Sequence, residues 1–371
     1  MISGKLRVVI AGGGTGGHLY PGIAVARELM ARDRDAVVSF AGTANGIESR
    51  VLPREGLTLD VIRSGGLKGK SAADRLRGLW LLPQSLADAW SVVSARRPDL
   101  VIGVGGYSSG PVVLVAALRG VATMVLEQNA VPGLTNRLLA PFVKAAAVTY
   151  DSTRSFFGSK AVVSGNPVRP EFFQLAGPSR VEAGADGGSA VVRVLVFGGS
   201  QGAHAVNVAM VEAAAELAAG RPPLHLTHQT GERDVEMVRA GYRAAGIAAD
   251  VEPFFYDMGR QLGQADLIVC RAGATTLAEV AAAGKAAILI PLPTATDDHQ
   301  RKNAEVWSMV GAAEMVLQEF TTGSLLAKRI LTLAADRTAR TRMAGAARLL
   351  ARPDAAKVIV DRALELAGRA G

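Results

Sequence analysis

The sequence predicts two doubly wound α/β domains, each a parallel sheet with helices on both faces, and three observations carry that prediction. Short apolar runs alternate with helix-compatible segments through most of the 371 residues. The first run, residues 8–11, ends in Gly12-Gly13-Gly14-Thr15-Gly16-Gly17-His18 and leads into an amphipathic segment with Ile23, Val25 and Leu29. The same opening returns half a chain later, where the run 191–197 ends in Gly198-Gly199-Ser200-Gln201-Gly202-Ala203. Strand, glycine turn and helix form a phosphate-binding arrangement, because glycine permits a tight backbone approach and a helix N-terminus offers unpaired N–H groups.

The remaining elements follow in order. Residues 36–41 and 59–62 read as the second and third strands. A basic, loop-like stretch from Gly65 to Arg77 carries Lys68, Lys70, Arg75 and Arg77, and runs into Leu76, Leu79, Trp80, Leu86 and Trp90. That segment is either a core helix or an amphipathic patch with a basic rim that docks on an anionic membrane. Residues 99–105 repeat the strand-then-glycine theme and open a helix at Ser108-Ser109-Gly110-Pro111. Residues 123–129, 145–149 and 161–163 continue the sheet. His18, Tyr107, Glu127, Gln128 and Asn129 then gather at the C-terminal edge, where such sheets bind ligands. Gly165-Asn166-Pro167-Val168-Arg169-Pro170 closes the first half, and 177–190 is the most linker-like stretch. Runs at 224–229, 248–252, 267–270 and 286–290 build the second sheet, and the chain is helical from 324 to 369, interrupted at Pro353. The expected organisation is a first domain at 1–170, a linker at 171–190, a second domain at 191–345, and a terminal helix at 346–371 packing back on the first domain.

Composition narrows the function. A net charge of +8 favours anionic partners. No lysine-arginine block occurs, so nucleic acid is the weakest of these. The single cysteine, Cys270, excludes an intrachain disulfide and suits a reducing compartment. No leader-like segment opens the chain, and no run approaches the ~18 apolar residues that span a bilayer. The expectation is a cytoplasmic protein with at most peripheral membrane contact.

Gly12, Gly14 and Gly17 spell G-x-G-x-x-G, which on its own suggests a dinucleotide fold. The second strand, however, runs into Gly42-Thr43-Ala44-Asn45 with no acid at its tip, and the nearest downstream acid is Glu48. An NAD-binding unit needs an acid there for the ribose, so an NAD-linked oxidoreductase is disfavoured. The second half holds a richer constellation. Ala274-Thr275-Thr276-Leu277-Ala278-Glu279 opens a helix whose N–H groups suit a phosphate. Glu279 complements the helix dipole or accepts two ribose hydroxyls. Asp297 and Asp298 cap the next helix in preference to binding metal. No metalloprotease, zinc-ribbon, EF-hand, P-loop or nucleophile-elbow spacing is present.

Seven motifs occur in order: Gly13-Gly14-Thr15-Gly16-Gly17-His18, Gly105-Gly106-Tyr107-Ser108-Ser109-Gly110-Pro111, Glu127-Gln128-Asn129, Gly165-Asn166-Pro167-Val168-Arg169, Gly198-Gly199-Ser200-Gln201-Gly202-Ala203, Cys270-Arg271-Ala272-Gly273-Ala274, and His299-Gln300 with Asn303-Ala304. Together they closely resemble the MurG family of peptidoglycan N-acetylglucosaminyltransferases. Leu126 departs from it, standing where a histidine often precedes Glu-Gln-Asn, and the 177–190 linker is longer than the family pattern. The resemblance implies a GT-B architecture of two Rossmann-like domains facing a cleft. It implies transfer of N-acetylglucosamine from UDP-GlcNAc to lipid I, giving lipid II, with inversion and without metal or cofactor. On the donor it implies Thr15, Gly16, Gly17, Asn129, Arg169, Ser200, Phe255, residues Ala274 to Glu279, Gln300 and Asn303. On the acceptor side it implies Gly14, Tyr107 and Arg271. It gives the segment with Lys68, Lys70, Arg75, Leu79 and Trp80 a purpose at the anionic inner leaflet, and it extends to partners among cell-wall synthesis and division proteins. A general base must take the acceptor's proton. His18 is the first candidate, with orientation of the glycine loop as its other role. Glu127 is the second, with a purely structural strand-end role as its alternative. A diacylglycerol glycosyltransferase or a UDP-sugar epimerase would share the folds without both Gly-Gly-Tyr and Glu-Gln-Asn.

Overall fold

The computed structural model describes residues 5–65, 72–175, 191–199 and 201–369, with 72–80 described by backbone alone. Lys68, Lys70, Ser200 and the expected linker 177–190 lie outside the described residues, as do the side chains of Arg75, Leu79 and Trp80. The chain divides into two units, one of residues 1–168 with 352–371 and one of residues 169–351.

In the first unit the strands are β1 (Arg7–Gly12), β2 (Val37–Gly42), β3 (Thr58–Val61), β4 (Leu100–Gly105), β5 (Ala122–Glu127), β6 (Ala145–Val148) and β7 (Ala161–Val163). They form one parallel sheet in the order β3-β2-β1-β4-β5-β6-β7. Val8 and Ile10 enter the core on one face, and Val9 and Ala11 enter the core on the other. This double burial is why the strands read as continuous apolar runs without alternation. The strand order reverses between β1 and β4, so the crevice beyond their C-terminal ends is the expected ligand position.

The second unit holds β8 (Val192–Phe197), β9 (Leu224–Gln229), β10 (Ala248–Glu252), β11 (Leu267–Cys270), β12 (Ala286–Leu289) and β13 (Ala313–Met315). Their order is β10-β9-β8-β11-β12-β13, all parallel, and the reversal falls between β8 and β11. The short edge strand β13 was not anticipated, because Ala-Glu-Met offers no apolar run.

Three boundaries differ from expectation. The helix Glu171–Gln174 is not linker: Phe172 is fully buried and the helix packs on the helix Ala274–Ala283 of the second unit. The helix Arg337–Leu349 stays wholly with the second unit, burying Met343 and Ala347, and the terminal segment begins at Arg352. The helix Ala355–Leu366 then packs on the helix Gly16–Arg32, placing Ile359, Val360 and Ala363 in the first unit's core, with Arg32 paired to Asp361. The third difference is at 72–77, read as loop, which begins the 25-residue helix Ala72–Arg96. Ala89 and Val93 of that helix are buried while Trp90 is 57% exposed, with the Arg119 guanidinium 4.5 Å from its ring centre. Among the described residues no helix is long and apolar enough to cross a membrane.

Candidate functional site

The β1/β4 reversal brings two glycine motifs together. His18 lies in the first turn of the helix Gly16–Arg32, half-buried, with Thr15 Oγ1 3.3 Å from its Nδ1. Its ring sits in space that only glycine leaves open: a Cβ on Gly105 would lie 2.7 Å from His18 Cδ2. The Gly-Gly-Tyr motif therefore seats the imidazole. Tyr107, the next residue, is 54% exposed. Beneath the opening glycine turn lies Glu48, fully buried, whose carboxylate accepts hydrogen bonds from Gly14 N, Thr43 N and Thr43 Oγ1, each at 2.8 Å. The acid missing from the tip of β2 is thus supplied six residues later, and it holds the turn instead of a ribose.

Glu127 at the end of β5 is also buried. Its two oxygens accept from Asn129 N (3.0 Å), Asn129 Nδ2 (3.3 Å), Gly133 N (2.9 Å) and Asn136 Nδ2 (2.9 Å). Burial pushes its pKa up against the pull of these donors. These four donors tie Glu127 to the loop 128–136, the strand-end role weighed as its alternative to a base. Asn129 belongs to the same knot, with its carbonyl accepting from Thr153 Oγ1 at 3.1 Å.

In the second unit Gln229 ends β9 and is buried. Its Nε2 donates to Gly199 O at 2.9 Å, and its Oε1 accepts from Phe255 N at 2.9 Å. Phe255 is half-buried between Phe254 and the 95%-exposed Tyr256. Behind this edge a polar chain crosses the interior. His228 Nδ1 lies 2.7 Å from Tyr242 Oη and Nε2 lies 3.0 Å from Asn207 Oδ1, while Asn207 Nδ2 donates to Thr230 O and to Asp234 Oδ2.

The helix Ala274–Ala283 follows β11 directly, with Gly273 at its N-cap. Ala274, Thr275, Thr276 and Ala278 are half-buried on the open side of its first turns. Leu277 is core-facing at 1% exposure, and its N–H bonds Gly273 O at 2.9 Å. Glu279 is half-buried, and burial raises its pKa to about 7, with Arg169 pulling it down and Glu171 pushing it up. Arg169 Nη1 pairs with Glu171 at 3.0 Å and its guanidinium lies 4.9 Å from the Phe172 ring centre. An acid and a cation thus flank the helix N-terminal region, a suitable arrangement for sugar hydroxyls and phosphate.

Two further residues expected at the site make internal hydrogen bonds. Asn303 is fully buried, and its Nδ2 donates to Ala272 O at 3.1 Å, tying the helix His299–Met309 to the β11 exit. Arg271 is 8% exposed, with Nη1 on Ile290 O (3.0 Å) and Pro291 O (3.2 Å) and Nη2 on Gln318 Oε1 (2.6 Å). A guanidinium so enclosed braces its own unit. Gln300 is half-buried, its Oε1 accepting from Leu292 N at 3.0 Å. Asp297 and Asp298 adopt left-handed angles, φ 55° and 54°, and Asp298 makes no side-chain cap bond, contrary to the capping expectation.

Sequence reasoning missed Glu48 and Gln229. Each had a weak signal: an acid with glycines at 42 and 46 just before it, and a polar strand end followed by Thr230-Gly231.

Known proteins resemble the chain along nearly its whole length. Residues 8–148 match the glycosyltransferase family 28 N-terminal domain, and residues 193–359 match the family 28 C-terminal domain. A curated relative from Anaeromyxobacter sp. (strain K), named UDP-N-acetylglucosamine--N-acetylmuramyl-(pentapeptide) pyrophosphoryl-undecaprenol N-acetylglucosamine transferase, is 47% identical over 98% of this chain and 94% of its own. The crystal structure of Acinetobacter baumannii MurG shares 34% identity, covers 97% of this chain and 99% of its own, and superposes with a TM-score of 0.79. A UDP-GlcNAc 2-epimerase from Neisseria meningitidis, covering 98% of this chain and all of its own, shares the fold at TM-score 0.67 with only 12% identity. The chain therefore belongs to glycosyltransferase family 28, and within it to the MurG N-acetylglucosaminyltransferases.

Proposed function

We propose that this chain transfers N-acetylglucosamine from UDP-GlcNAc to the 4-hydroxyl of the N-acetylmuramoyl-pentapeptide of undecaprenyl-pyrophosphate lipid I, yielding lipid II and UDP. The observation that carries the reading is 47% identity over almost the full chain with a relative named for that transfer. In the reaction His18 takes the proton of the acceptor hydroxyl, the oxygen bonds the anomeric carbon, and the bond from that carbon to the diphosphate breaks. One displacement inverts the anomeric centre. The leaving charge is met by Arg169, Ser200 and the N–H groups of Ala274–Thr276, so these protein groups supply the stabilisation a metal would otherwise give. Uracil lies against Phe255, Glu279 accepts the ribose hydroxyls, Gln300 contacts the sugar, and Tyr107 contacts the acceptor. Glu127, Leu277, Asn303 and Arg271 support the fold around these groups.

The acceptor is lipid-linked, and the segment with Lys68, Lys70, Arg75, Leu79 and Trp80 gives the protein a peripheral site on the cytoplasmic face of an anionic membrane. The deciding assay incubates purified protein with UDP-GlcNAc and a detergent-dispersed lipid I analogue. Release of UDP with a disaccharide-lipid product is expected, and no release overturns the reading. Changing Leu79 and Trp80 to Ser is expected to weaken sedimentation with anionic vesicles and to leave turnover of the dispersed substrate intact.

A further inference from the structure

The carboxylate of Glu48 accepts from Thr43 N–H, Thr43 Oγ1 and Gly14 N–H, the last at 2.8 Å and inside the turn that looks built for phosphate. A buried carboxylate is costly unless hydrogen bonds replace its water. The chain makes room for it. A Cβ on Gly13 would lie 2.5 Å from Glu48 Cδ, and one on Gly46 would overlap the carboxylate oxygens. Burial pushes the Glu48 pKa up, but the bonds from Gly14 and Thr43 outweigh it, so the group stays ionised. The opening turn therefore has a fixed negative charge against it and one of its N–H groups already engaged. Both features disfavour an anionic ligand at that spot. They instead fix the backbone at Gly14, one residue before Thr15, whose hydroxyl meets His18 Nδ1.

We propose that Glu48 is a positioning residue for His18, and that the Gly13–Thr15 turn is a rigid mount for the imidazole, not a cradle for the acceptor diphosphate. The inference rests on the transfer reading above for His18's role. Glu48→Gln keeps the shape but turns an NH2 toward Gly14 N–H or Thr43 N–H. Gly46→Ala, at ordinary backbone angles, displaces the carboxylate sterically from outside the turn, and carries the test if Glu48→Gln does not fold.

Steady-state kinetics with UDP-GlcNAc and the lipid I analogue should give kcat lowered at least about tenfold in either variant, with KM for UDP-GlcNAc within about twofold of the parent. A phosphate cradle predicts the reverse for Glu48→Gln. Loss of the repelling charge would lower acceptor KM without lowering kcat, and that result overturns the proposal. A parent that turns over while the variants keep its kcat overturns it as well, leaving the transfer reading intact. NMR of histidine-labelled protein decides the matter independently of turnover. Of the five histidine signals, the one removed by His18→Ala must shift, and its titration midpoint must move, in Glu48→Gln. An unmoved His18 signal overturns the proposal even if the enzyme proves inactive.

Discussion

Gln229 and Phe255 are joined by a 2.9 Å hydrogen bond in which the Phe255 N–H donates to the Gln229 side chain, while the same side chain donates to Gly199 O. One amide thus couples the aromatic wall to the second glycine turn. Gln229→Ala should leave a buried N–H and a carbonyl unmatched, costing about 1–3 kcal/mol. If the wall holds uracil, much of that cost falls on ligand binding, and calorimetry should record UDP affinity lowered about tenfold. Unchanged affinity would separate the wall from the nucleotide.

Glu279 titrates near neutrality because burial outweighs Arg169. A carboxylate that accepts both ribose hydroxyls must be ionised. UDP affinity is then flat above pH ~7 and falls up to tenfold per unit below it, since binding must first remove a proton. Glu279→Gln should flatten this profile and weaken UDP binding at pH 8 by about 10- to 100-fold. Calorimetric titration from pH 5.5 to 8.5 reads both effects.

His228 is buried, and burial lowers its pKa to about 3. Between pH ~6.5 and 3 the unfolded imidazole binds a proton that the folded one does not. Stability of the second unit therefore rises with pH across that window and is lost on acidification, at about 1.4 kcal/mol per unit. The parent should lose about 2 kcal/mol from this residue between pH 7 and 5. The slope of His228→Gln, measured by urea unfolding, should be shallower by that amount.

His18→Ala tests the base directly. General-base catalysis contributes about 10²–10⁴-fold, so kcat should fall within that range while UDP affinity holds. A fall below fivefold would leave His18 only as part of the turn.

Ile359 is 1% exposed in the first unit's core, although it lies near the chain's end. Ile359→Ala should destabilise that unit by about 2–5 kcal/mol. Thermal unfolding should resolve a lowered first-unit transition with the second unit's unchanged.

The strands were legible because both faces of each sheet are covered, which leaves apolar runs such as 8–11 and 267–270 unbroken. The helix Ala274–Ala283 was legible because strand exit and small residues are contiguous. What escaped reading depends on partners distant in the chain. Glu48 meets Gly14 across 34 residues, and Gln229 meets Gly199 across 30. The internal partners of Arg271 and Asn303 were hidden for the same reason. Polar side chains beside a ligand motif look available until the carbonyls of Ile290 and Ala272 fold onto them.

The terminal helix Ala355–Leu366 also sets an order of assembly. The second unit is continuous, residues 169–351, whereas the first needs residues 352–371 to complete its core. During synthesis the earlier-made unit therefore closes last, after its partner's sequence has fully emerged. Until then the surface awaiting Ile359, Val360 and Ala363 is exposed, and a ribosome that stalls short of residue 359 carries a first unit with an open apolar face.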